Sequence, residues 1–263
     1  MPLPKVPGEL PSFKITLACL LSAALSLDTC LANNLKKPVR LYLDHYPPFN
    51  IEENDRIHGS NSIQLQMAFA ALNIEAIHRV VPWSRAQINA RTQPDSCFYS
   101  AARTAEREHQ YQWVGPLSSE YIALYSRSDR PIHLSNLQEA RHWRVGGQLG
   151  DAYVKWVVSQ GVPVEELGGT GSSLEKLLHN RIDLWVVGSI AGPYTAMLQG
   201  QQLVPSYIST ERSDLWMACN KSIPAEVIQQ LNSLIKRYTE DGTRQQLLER
   251  YGLAPAPAEA TQN

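Results

Sequence analysis

Apolar and polar positions along the chain switch between a two-residue period and a period of three to four, and the switches mark out its elements. Residues 39–44 (VRLYLD) read as a strand, followed by a Pro47-Pro48 turn and a polar loop ending at Gly59. Residues 62–72 carry apolar side chains at helical spacing, and residues 75–81 read as a second strand. Pro82-Trp83-Ser84 opens a short helix with Ser84 as its cap, and residues 97–99 form a third strand. This βαβαβ order predicts a parallel sheet with helices on its faces. Residues 121–126 form another strand, and a second α/β run follows. It has strands over 143–147, 182–187 and 203–208, and helices over 151–159, 174–179 and 191–198. A strand over 214–219 and helices over 225–239 and 243–251, separated by Gly242, complete the fold. Residues 253–263 are small, polar and proline-containing, the composition of a disordered tail.

Two α/β units joined by two strands predict two lobes with a cleft between them. Open α/β sheets place ligands beyond the carboxyl ends of their strands. Residues 44–46, 83–85 and 99–107 all fall there and converge on one edge. Within the last of these, the run Cys97-Phe98-Tyr99 breaks at Ser100, Ala101 and Ala102 and enters a helix start with Thr104 as N-cap. Arg103 and Arg107, four apart, then share a helical face beside free backbone amides, a place for a carboxylate or other anion. The plain alternative is that both arginines pair with surface acids such as Glu106 and Glu108. Trp113-Val114-Gly115-Pro116 is expected to close the segment as a turn.

Charge changes this picture only by exclusion. The 263 residues carry a formal net charge of −1, so no electrostatic case exists for nucleic acid or an anionic membrane as partner. A ligand must be drawn by local charge. Hydrophobic content of 43% and charged content of 19% are ordinary for a soluble globular chain. Lys5 and Lys14 precede an apolar run over 15–27 and a small-residue stretch ending at Ala32, the grammar of a secretory signal peptide over residues 1–32. An uncleaved anchor is the competing reading, and the run is short for a span. Of four cysteines, Cys19 and Cys30 leave with the signal. Cys97 and Cys219 remain as an even pair in an oxidising compartment, where a disulfide competes with two separately buried thiols.

Taken together, several motifs resemble a known family. They are Asp44-His45-Tyr46-Pro47-Pro48-Phe49, Gly59 before a helix, Pro82-Trp83-Ser84-Arg85-Ala86, and Arg103-Thr104-x-x-Arg107. Trp113-x-Gly115-Pro116, Asn180-Arg181-Ile182-Asp183 and Asp241-Gly242-Thr243 follow in order. Over residues 37–252 the chain resembles the bacterial extracellular solute-binding proteins of family 3, periplasmic receptors of the amino-acid type that serve ABC importers. The resemblance implies a two-lobed, type II periplasmic-binding-protein fold, with lobe 1 over 37–122 and 217–252 and lobe 2 over 123–216. It implies a small-molecule ligand, an inner-membrane ABC permease as partner, a monomer, and no cofactor or metal. Arg107 would grip a ligand carboxylate, with Arg103 as auxiliary cation. Tyr46 and Trp83 would be walls and Asp44 a polar anchor, with Tyr99 and Ser100 alongside. Backbone amides over Gly150, Asp151 and Ala152 would share the carboxylate. Relatives that bind α-amino acids carry an acid for the ammonium where this chain has Gly188. Asp44, Asp151 or Glu120 could substitute, or the ligand could lack that amine.

No G-x-S-x-G, H-E-x-x-H or G-x-x-x-x-G-K motif is present, and Gly146-Gly147-Gln148-Leu149-Gly150 does not fit a dinucleotide fingerprint. A binding protein is therefore expected. A dehydratase-like lyase, with Glu120, Asp44 or His109 as acid or base, and a receptor for a membrane signalling partner are the alternatives.

Overall fold

The computed structural model describes residues 37–253, so the signal-like segment with Cys19 and Cys30, and the tail from Ala254 on, lie outside the described residues. Leu253 itself is tied down, its amide donating to the Leu248 carbonyl.

The first strands are β1 (Val39–Leu43), β4 (Ala76–Val80) and β5 (Ser96–Ala102), parallel in the order β4-β1-β5. Helix α1 (Ser60–Ala71) joins β1 to β4, and α2 (Trp83–Thr92) joins β4 to β5. Helix α2 starts two residues earlier than a Ser84 cap implies, with Pro82 at its N-cap, because proline's fixed φ presets the helix start. Helix α1 begins as Ser60 and Asn61 donate to the carbonyls of Pro48 and Phe49. Gly59 makes that approach possible: its φ is 105°, and a Cβ there would lie 2.4 Å from the Phe49 oxygen. The predicted polar loop before it is a hairpin of β2 (Ile51–Glu53) and β3 (Arg56–His58). Its turn residues Asn54 and Asp55 have φ of 50° and 60°, the conformation a tight two-residue hairpin needs.

Two long strands run through the middle of the sheet. Strand β6 (Gln112–Arg127) absorbs the turn expected at 113–116, and β10 (Leu203–Cys219) joins two strands that the sequence pattern separates. They pair antiparallel along their length, with β10 also antiparallel to β5. On their other side come β9 (Leu184–Gly188), β7 (Val145–Gln148) and β8 (Glu165–Leu167), completing the order β4-β1-β5-β10-β6-β9-β7-β8. Helix α3 is a single turn (Ala105–Glu108) between β5 and β6. Helices α4 (Ala152–Ser159), α5 (Thr170–Leu178) and α6 (Ala191–Leu198) pack on the β7–β9 side. Helices α7 (Ala225–Glu240) and α8 (Thr243–Glu249) return to the first side, separated by Gly242.

The apolar core divides accordingly. One cluster holds Leu41, Leu65, Tyr99, Met217 and Leu231 between the sheet and α1 and α7, with a second around Trp83, Phe98 and Tyr111 on the opposite face. Another holds Val154, Leu177, Trp185 and Val187 around β7 and β9. Each fully buried side chain of this size contributes roughly 1.5–3 kcal/mol of transfer free energy. The result is a two-lobed periplasmic-binding-protein fold. Cys97 and Cys219 are register partners on β5 and β10, and their sulfurs are 2.09 Å apart, a disulfide.

Candidate ligand-binding site

The strand ends converge on a cavity of about 390 Å³, part of it open to solvent. Its walls include Asp44, Tyr46 and Asn50 from beyond β1, Trp83 at the start of α2, and Ser100 and Ala102 from β5. Arg107 of α3, Gln148 of β7, Asp151 and Tyr153 at the start of α4, and Leu215 of β10 complete them. A concave wall of aromatic side chains with a few charged and polar groups is the usual lining of a small-molecule site.

Arg107 is 5% exposed although it sits on a one-turn helix. The turn is anchored by the Thr104 carbonyl, which accepts from the Arg107 and Glu108 amides, and this aims the side chain inward. The guanidinium donates to the Ala102 carbonyl at 3.1 Å, to Gln87 Oε1 at 2.8 Å, and across the cleft to the Gly150 carbonyl at 3.0 Å. All three acceptors are neutral. Burial lowers its pKa, and among the described residues no carboxylate lies within ion-pair distance. A buried cation surrounded by neutral acceptors stabilises an anion placed against it.

The acids stand opposite. Asp44 accepts from the His45 amide at 2.9 Å and from Gln148 Nε2 across the cleft, and burial raises its pKa to about 6. Asp151 caps α4, accepting from the Tyr153 amide at 2.9 Å, and burial raises its pKa too. Glu120 of β6 is 1% exposed and lies behind the wall. Its Oε1 accepts from the Tyr46 hydroxyl at 2.6 Å and from the Tyr153 hydroxyl at 3.4 Å. Its Oε2 accepts from the Ile190 and Ala191 amides, both at 3.2 Å, at the start of α6. Burial pushes its pKa up to about 7. The space it fills is that of a side chain at 188: a Cβ on Gly188 would lie 2.0 Å from its carboxyl carbon and both oxygens.

A model of the bacterial extracellular solute-binding proteins, family 3, matches residues 40–254. The chain belongs to this family. No curated protein matches it closely enough to be counted a relative. Among solved structures, a histidine kinase sensor domain with similarity to periplasmic binding proteins aligns with a TM-score of 0.75 and 17% identity, over 83% of this chain and 98% of that one. The arginine-, lysine-, histidine-binding protein ArtJ from Geobacillus stearothermophilus gives 0.74 and 14%, over 83% and 97%. An ancestral amino acid-binding protein described as a precursor of cyclohexadienyl dehydratase gives 0.72 and 17%, over 85% and 98%. At these identities the likeness is one of fold.

Set against this family's pattern, several expected residues fall elsewhere. Arg103 does not share a helical face with Arg107, because α3 begins only at Ala105. It pairs with Glu108 at 2.6 Å, lies over the Trp216 ring at 4.8 Å, and borders a separate groove with Thr104 and Trp156. The auxiliary-cation expectation is replaced by the surface-pair alternative for this one arginine. Tyr99 points away from the cavity, into the α1–α7 core. There its hydroxyl meets Ser62 at 2.9 Å and His78 Nδ1 at 3.0 Å. Strand alternation decides this, since Tyr99 shares a face with the disulfide-bonded Cys97. Ser100, with φ of 61°, breaks the alternation and lines the cavity, its hydroxyl donating to Asn50 Oδ1 at 2.6 Å. The expected amide donors at 150 and 151 are already engaged, Gly150 with Glu166 Oε2 and Asp151 with the Gln148 carbonyl. Ala152 is buried as the first residue of α4 and is not part of the wall.

Asp44, Tyr46, Trp83, Arg107 and Asp151 are on the wall as expected, and the Trp83 indole N–H has no partner among the described residues. Asn50, Gln87, Gln148 and Tyr153 were not foreseen. None of the four carries a local sequence signal.

Proposed function

We propose that this family 3 protein is a periplasmic receptor for a small polar, carboxylate-bearing ligand, an amino acid or related metabolite, which it hands to an ABC importer. Arg107 carries the reading: it is a buried guanidinium on the cavity wall, without an acid of its own, ready to clamp a carboxylate. Asp151 acts electrostatically on that cation and Asp44 lines the same cavity, so the cavity suits a ligand with both charges better than a bare anion. Tyr46 and Trp83 supply apolar walls, and Trp83 Nε1 supplies a donor. Residues 37–122 with 217–252 form the first lobe and 123–216 the second. Ligand shifts an open–closed equilibrium by binding the closed arrangement better.

A melting-temperature screen of the mature protein against amino acids, organic acids and amines tests this. Carboxylate-bearing compounds are expected to raise the melting temperature by mass action. A screen won by amines without a carboxylate contradicts the reading. The likeness to a kinase sensor domain favours a second reading, in which the closed form is read by a membrane signalling partner. Uptake of a labelled hit by cells lacking the protein separates the two, because a sensor leaves uptake unchanged.

A further inference from the structure

The Arg107 guanidinium has five N–H donors, and its partners decide which of them a ligand can reach. Nη1 gives one proton to the Ala102 carbonyl, and Nη2 gives one to Gln87 Oε1 at 2.8 Å and one to the Gly150 carbonyl at 3.0 Å. Among the described residues, Nε–H and the second Nη1 proton have no acceptor, and these remain for a ligand. Gln87 is not part of the cavity wall. It stands on α2, its main-chain carbonyl accepting from the Tyr111 hydroxyl, and its Nε2 donates to the same Gly150 carbonyl at 3.2 Å. Guanidinium, carboxamide and carbonyl thus close a ring of three hydrogen bonds across the cleft. The ring has one sense. An arginine only donates and a carbonyl only accepts, so the group between them must do both, as a side-chain amide does. Gly150, with φ of 73°, brings its carbonyl to the meeting point, and a Cβ there would lie 3.2 Å from Gln87 Nε2.

We propose that Gln87 is a positioning residue that couples the aim of Arg107 to closure of the cleft. This role rests on Arg107 being the ligand's anchor, and Gln87 acts through it without touching the ligand. With the cleft shut, the amide oxygen holds Nη2 and the amide nitrogen holds the facing side. As the cleft opens, the Gly150 carbonyl leaves both donors at once, and Gln87 and Ala102 keep the guanidinium aimed. Closure therefore draws on one charge-assisted and one neutral hydrogen bond to a single acceptor, all three groups belonging to the protein. The chain accordingly visits the closed arrangement without a ligand. Neutrality at position 87 matters as much as reach. A carboxylate there would pair with Arg107, withdraw its charge from the ligand, and have no proton for Gly150. The other charged groups beside Gln87 are Arg91 on α2, Glu106 on α3 and Lys155 on α4. The Tyr111 phenol borders the same groove, and Asp151 acts on the same guanidinium.

Spin labels at Glu75→Cys and Glu175→Cys, exposed positions on the two sides of the cleft, report open and closed populations as a distance distribution. In a chain of residues 33–263 without added ligand, a closed fraction is expected. Gln87→Ala and Gln87→Glu are expected to lower the closed-to-open ratio about threefold or more. Lys155→Ala, which removes the exposed pair with Glu106 across the same cleft, is expected to change it less than about 1.5-fold. From about pH 6 to pH 4 the ratio in Gln87→Glu recovers towards wild type measured alongside, because the protonated acid again both accepts and donates. Calorimetry with L-glutamine, L-arginine and L-histidine follows. Each one that binds wild type is expected to lose about tenfold or more in Gln87→Glu and about threefold in Gln87→Ala. Ratios equal to wild type in both Gln87 variants, or a fall in Lys155→Ala as large as theirs, overturn the inference. So does a wild type that shows the open arrangement alone. If none of the three amino acids binds, the receptor reading loses its support, and the spin labels still decide the inference.

Discussion

At the scale of single residues, the decisive contrast is between two arginines four positions apart. Spacing alone assigns them one face, and the structure separates them because Thr104 stops the helix from reaching Arg103. Arg107→Ala is expected to weaken ligand binding by about tenfold or more by calorimetry, with an unchanged circular-dichroism spectrum. Unaltered affinity would remove Arg107 from the site. Glu120 gives a second outcome at this scale. Its folded pKa of about 7 lies above the usual 4.5, so its contribution to stability is fully present below about pH 4.5 and is lost as pH rises through about 7. Asp44, raised to about 6, acts in the same direction. His78, buried and lowered to about 4, acts oppositely: its contribution is present above about 6.5 and lost as pH falls through about 4. Urea unfolding between about pH 5 and pH 8 is therefore expected to show wild type losing stability relative to Glu120→Gln as pH rises, and a constant difference would contradict the buried-acid assignment.

At the scale of elements, the sequence pattern was most legible where an element buries one stripe. The apolar spacing of 191–198 and 225–239 gives α6 to the residue and α7 within one. It was least legible in β10, where exposed Thr210, Glu211 and Arg212 interrupt the apolar run, although the backbone stays extended through register shifts. The β2–β3 hairpin was hidden because its turn is Asn-Asp without glycine, and β8 because two of its three residues are exposed glutamates. For the candidate site, residues just past strands were visible. Gln87 and Gln148, which meet Arg107 and Asp44 from distant elements, carry no local pattern. The β5–β10 disulfide closes a separation of 122 residues, for which chain entropy predicts about 4–5 kcal/mol. A denatured, unreduced chain of residues 33–263 is expected to show no free thiol, and Cys97→Ser with Cys219→Ser to melt several degrees lower. Two free thiols would contradict the bond.

At the scale of the whole molecule, the two sides of the cleft touch through Asp44–Gln148, Arg107 and Gln87 to the Gly150 carbonyl, and the exposed Lys155–Glu106 pair at 2.8 Å. These contacts describe a closed arrangement, and the exposed pair adds little to it. Small-angle scattering is expected to give a smaller radius of gyration with ligand than without. An identical radius in both states would mean that binding does not close the molecule.

The long pairing of β6 with β10 also bears on how the polypeptide acquires its shape during synthesis. Strand β5 lacks one of its two neighbours until Cys219 has been made, and the helix that covers that face, α7, ends only at Glu240. More than four-fifths of the translated chain must therefore emerge before the amino-terminal half can finish assembling. The sheet that begins with the first strand made is thus among the last parts of the molecule to close.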